Sequence, residues 1–219
     1  MPVTNIYATA NKDGYIQVDS SLNFLQARNA VTGTVYNSVA NHSQACQAQV
    51  FTGRGSATYR IKRSFFYFDV SSVSAATSAT INIRGITYNS GDIIGVKASV
   101  SDPLAGADFD SISGWTGPSD TDQEPNVTKF TDEVTTWTTS GYNTIPLLSA
   151  AVTHINSNSR FIICFLKYDY DLKGVDSTGA TDVSNGMYYM ESSASYRPYI
   201  AVTTPDPTVD NAIFFGTNF

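Results

Sequence analysis

The sequence predicts an all-β fold, an antiparallel sandwich followed by an extended arm. Short β-branched and aromatic runs recur between Gly, Asn, Asp and Ser, and no helical period of useful length interrupts them. Charged residues are only 15% of the chain, below the usual quarter, so its polar surface is largely neutral. At 219 residues it is long enough to bury a core without disulfides or metal, and short enough to be one sandwich.

Predicted strands fall at 4–8, 15–18, 45–51, 58–70, 80–88, 93–100, 160–168, 187–191 and 199–203. In "ATINIRGITY", Ile81 and Ile83 alternate with Asn82 and Arg84. The phase then slips at Gly85, which predicts a β-bulge. Two runs do not alternate: "RSFFYFDV" and "RFIICFLKY" are apolar on both faces. Such strands need cover on both sides. A loop or neighbouring strand supplies it, or else Phe65 and Tyr67 form a face for another subunit.

"FTDEVTTW" (130–137) reads as a short helix, with Thr131 as a cap and acids in the first turn. "LLSAAVTHINS" reads as another, with Leu148, Val152 and Ile155 on one face. The polar, turn-rich stretch 102–126 reads as an exposed loop. After Thr204 two prolines end the sheet, and the composition changes. The domain organisation is therefore a sandwich over 1–204 and an arm over 205–219.

Several function classes recede. A net charge of −6 with no Lys/Arg cluster disfavours nucleic acid. No apolar stretch is long enough for membrane insertion. The amino-terminal residues have neither the basic nor the apolar region of a signal peptide, which fits synthesis and assembly in a cytoplasm. Cys46 and Cys164 do not demand a disulfide; Cys164, inside "RFIICFLKY", reads as a small buried hydrophobe.

For catalysis, His42 and His154 lie outside any hydrolase motif, and acid pairs such as Asp108 with Asp110 are ordinary in polar loops. The expectation is a protein that is not an enzyme and has no cofactor. Calcium is the one candidate ion: Asp169, Asp171 and Asp176 share a turn-rich loop with Asp182, although the spacing is not that of an EF-hand. Trp115 is the candidate sugar contact, being a flat aromatic on the long loop.

The order of three segments carries a resemblance. "RSFFYFDVSSVSAATSATINIRG", "YNTIPLLSAAVTHINSNSRFIICFL" and "SYRPYIAVTT" together resemble the DNRLRE-type carbohydrate-binding-like jelly-roll domain. With "LKYDYDL", the form is similar to that found in virion structural proteins of tailed bacteriophages. The resemblance implies a non-enzymatic jelly roll used in capsid decoration, neck or tail, for assembly, display or adhesion. With the apolar arm and sandwich faces, the expected partners are further copies of the chain in a homo-oligomer, other virion proteins, and a host-surface glycan. The resemblance implies no catalytic residues. A free carbohydrate-binding module is the alternative. The apolar Ile213, Phe214, Phe215 and Phe219 of the arm are expected to dock in a groove or on a sheet edge of a neighbouring copy, the alternative being that the arm folds back on its own sandwich.

Overall fold

β-Branched and aromatic runs pair into eleven antiparallel strands. They are β1 (Val3–Tyr7), β2 (Gly14–Ser20), β3 (Thr34–Tyr36), β4 (Asn41–Thr52), β5 (Ala57–Asp69), β6 (Ser78–Asn89), β7 (Ile93–Lys97), β8 (Tyr142–Pro146), β9 (Arg160–Lys167), β10 (Val183–Tyr188) and β11 (Tyr199–Thr203). Two α-helices are interposed among them, α1 (Phe24–Arg28) and α2 (Ser149–Ser157). The computed structural model describes residues 1–52, 57–89, 92–115, 126–177 and 183–206. The arm residues Ile213, Phe214, Phe215 and Phe219, and Asp182, lie outside the described residues.

The result is an all-β antiparallel sandwich. One layer runs β1–β11–β6, with β8 on the opposite edge of β6. The other runs β3–β2–β5–β9–β7. Strand β4 pairs with the first half of β5, and β9 takes over along the second half. Strand β10 then joins β4 to β6, so hydrogen bonds link the two layers into one folded sheet. No helix among the described residues is long and apolar enough to cross a membrane.

The two continuous apolar runs are β5 and β9, and each is buried on both faces. Phe66, Phe68, Phe161, Ile163 and Phe165 point into the core between the layers. Phe65, Tyr67, Ile162, Cys164 and Leu166 point the other way, into a second core. That second core is roofed by the chain itself: Phe24 and Ala27 of α1, Leu104, Phe109 and Ile112 of the long loop, and Leu172 after β9. Phe65 and Tyr67 are therefore interior residues, at 0% and 6% exposure, and not a subunit face. Of the loop expected to be exposed over 102–126, the apolar Leu104, Phe109 and Ile112 close this roof, and residues 116–125 lie outside the described residues.

The bulge predicted at Gly85 is present. Between the pairs Asn185–Tyr88 and Met187–Gly85, β6 advances by one residue more than β10. A Cβ at Gly85 would collide with the Thr138 carbonyl oxygen and crowd the indole nitrogen of Trp137. Helix α2 buries Ala151 and Ile155, with Val152 packed beside them.

Other expectations are corrected. Residues 130–137 are extended, not helical: Val134 bridges Ile93, and Lys129 bridges Val96. Thr131 caps no helix; its hydroxyl accepts the Gly95 N–H at 2.8 Å, which satisfies the edge of β7. The strand expected over 187–191 instead spans Val183–Tyr188, because Tyr189 to Ser192 turn back on themselves.

Candidate functional site

The most elaborate side-chain arrangement lies in the second core. Arg63, on β5, is fully buried, and burial of an unpaired guanidinium would be prohibitive. Asp171 compensates it with a two-point contact, accepting from Nε at 2.8 Å and Nη2 at 2.6 Å. The remaining donors of Arg63 reach the carbonyls of Phe109 and Arg28, each at 2.8 Å.

Arg28, the last residue of α1, is also fully buried. It donates to the Asp171 carbonyl at 2.6 Å and the Leu172 carbonyl at 3.1 Å. Trp115 closes the cluster: both guanidiniums sit over its ring, at 4.3 Å for Arg63 and 4.6 Å for Arg28. Phe109 stacks on the other side of Arg63, at 4.1 Å. The cluster ties α1, the long loop and the turn after β9 to the sheet.

This geometry reassigns two candidates. Trp115, expected as a sugar platform, is half-buried, and its ring is engaged by two arginines. Asp171, expected as a calcium ligand, has both side-chain oxygens held by Arg63. Asp169 pairs with Lys173 at 3.3 Å, and Asp176 is exposed. Among the described residues, no three His, Cys, Asp or Glu side chains gather as a metal-binding group. The three aspartates therefore do not form a site together.

The other reactive groups also have local partners. Nδ1 of His42 accepts the Gln44 N–H at 3.0 Å, and the ring packs on Tyr15 at 4.5 Å. Burial, with Lys62 nearby, lowers its pKa to about 4. His154 donates from Nε2 to the Arg160 carbonyl at 3.1 Å, and burial lowers its pKa too. Cys46 and Cys164 are free and buried. They lie in different cores, and burial pushes the Cys46 thiol up to about 12 and that of Cys164 well up. Such thiols are poor nucleophiles. Asp108 is likewise occupied, accepting from the amides of Ser101 and Ala105.

Sequence reasoning missed one concavity. It is an open groove of about 710 Å³ between the extended 132–138 segment and β8. Glu133, Thr135, Thr136, Trp137, Tyr142 and Thr144 line it. Glu133 has its carboxyl pushed up by burial, then by Asp92 beside it. Asn143 fixes the turn at the closed end, accepting the Thr138 N–H at 2.8 Å and donating to the Thr138 carbonyl at 3.0 Å. The only sequence signal was the threonine-rich run around Trp137. The groove offers hydroxyl and carboxyl groups beside the largely buried Trp137.

No family model and no curated protein matches the chain.

Proposed function

We propose that the protein is a non-enzymatic structural subunit of a tailed-bacteriophage virion, in capsid decoration, neck or tail, acting in assembly and surface display. The observation that carries this reading is the open edge at β1. Among the described residues β1 pairs only with β11, and Val3 and Tyr7 are 61% and 47% exposed. An edge strand with exposed apolar side chains is a template for strand addition.

The base of the arm continues the β11 ladder along the start of β1, on the side away from the open edge. The Thr204 N–H donates to the Pro2 carbonyl at 3.1 Å, and Asp206 pairs with the amino group of Met1 at 2.7 Å. A concavity of about 460 Å³, lined by Val73, Ala75, Val202 and Pro205 among others, opens beside it. An arm carrying Ile213, Phe214, Phe215 and Phe219 from a second copy has an edge and a hollow to enter. The test is binding of a labelled 205–219 peptide to the sandwich ending at Thr204, read by fluorescence anisotropy. Saturable binding that Val3→Lys weakens supports the reading; no binding at any concentration removes its basis.

The groove beside β8 favours a second reading, a carbohydrate-binding module. Its hydroxyl-lined walls and Trp137 floor suit a glycan better than Trp115 does. Retention on immobilised polysaccharides, lost on Thr135→Val/Thr136→Val but kept on truncation at Thr204, would move this reading ahead.

A further inference from the structure

Two carboxyl groups far apart in sequence meet where the turn before β2 packs on the turn after β10. Asp13 is fully buried. Its Oδ2 accepts the Met190 N–H at 2.8 Å, while Oδ1 has no hydrogen-bond donor. Across from it, Glu191 accepts the Asn11 N–H with Oε1 at 2.7 Å, and its buried Oε2 also lacks a donor. These two bonds join the turns and bring the two carboxyls near enough to influence each other. Burial, and then the charge of Glu191, push the Asp13 carboxyl well above the usual range.

Two facing carboxylates in a low-dielectric site repel strongly and require a positive counterpart. The neighbouring cationic side chain does not supply it. Lys12 is drawn away to Asp102 at 2.6 Å and lies over the Tyr67 ring. Nor does Tyr189, whose hydroxyl is bonded to Ser64 at 2.8 Å. Arg197, on the following segment, donates to the Ser192 carbonyl. The Met190 N–H holds Asp13 Oδ2 and the Asn11 N–H holds Glu191 Oε1, so the oxygens left without a donor are Asp13 Oδ1 and Glu191 Oε2.

We propose that Asp13 Oδ1 and Glu191 Oε2 are the carboxylate ligands of a calcium-class divalent-cation site. The ion clamps the two turns together, and backbone carbonyls and water complete its oxygen shell. The site lies away from the Asp169–Asp176 stretch and from the arginine cluster.

The test is a titration of the full chain, stripped with EDTA, with CaCl2 and with MgCl2, by calorimetry and thermal melting. The expected result is one saturable calcium site and a rise in Tm of roughly 5–10 °C when the ion is in large excess over its Kd. Both effects vanish in Asp13→Asn and Glu191→Gln, and both survive in Asp169→Asn. A wild-type chain with no saturable heat and equal Tm in EDTA and in millimolar CaCl2 overturns the proposal. Binding that persists in Asp13→Asn overturns it as well. If the wild-type Tm is indifferent to calcium but falls as pH rises, and Asp13→Asn removes that fall, a shared proton is the counterpart, and the cation site is refuted.

Discussion

Replacing Asp171 by Asn isolates the role of the buried cluster. The change is nearly isosteric, but it removes the one carboxylate that meets Arg63 through two bonds, both partners being fully buried. Arg28 keeps its bonds to the backbone carbonyls of residues 171 and 172, so the loss falls chiefly on Arg63. Stranding a buried charge in this way costs about 3–5 kcal/mol. Against a typical total of about 5–15 kcal/mol, that is a large fraction of the stability. For a chain of this size the Tm should fall by roughly 10 °C. Urea unfolding followed by tryptophan fluorescence is the suitable assay, because Trp115 lies over both guanidiniums. The loss should be the same in EDTA and in calcium. The double variant Arg63→Met/Asp171→Leu should lose less than Asp171→Asn, since no stranded guanidinium remains at position 63. An Asp171→Asn protein within about 1 kcal/mol of wild type would refute the assignment of this ion pair as the tie between roof and sheet.

Three further outcomes are expected. His42 has a folded pKa of about 4 against a model-compound value of 6.5, so the unfolded chain takes up its proton first as pH falls. Its contribution is complete above the higher value and declines toward the lower; with the ring half-buried, about 1 kcal/mol is lost, and His42→Gln should flatten that part of a stability–pH curve. Gly85→Ala should cost about 1–3 kcal/mol in denaturant melts, because its Cβ would collide with the Thr138 carbonyl, and a neutral result would deny the close approach. Asn23→Ala should cost about 1 kcal/mol by removing the cap that accepts the Gln26 N–H at 2.8 Å, with Asn23→Ser restoring most of it.

What the sequence made legible was local and periodic. β5 and β9 announce burial on both faces through unbroken apolar runs, and the phase slip at Gly85 announces its bulge. What covers the outer face was not legible, because Leu104, Phe109 and Ile112 are single apolar residues dispersed through a polar loop. Helix α1, at five residues, is too short to show a period. Thr131 carried a helix-start signal but serves the edge of β7 instead, a case of tertiary bonding overriding a local motif. The partners of Arg63 and Asp13 lie 108 and 177 residues away in sequence, so spacing could not reveal either pairing. Asp171 looked like one of several turn aspartates for the same reason.

The proposed assembly of the sandwich through residues 205–219 has a direct test. Native mass spectrometry on the full chain and on a version ending at Thr204 tests this most directly. Assembly through the arm gives an oligomer for the full chain and a folded monomer for the truncated one. Two monomers of equal stability would contradict it.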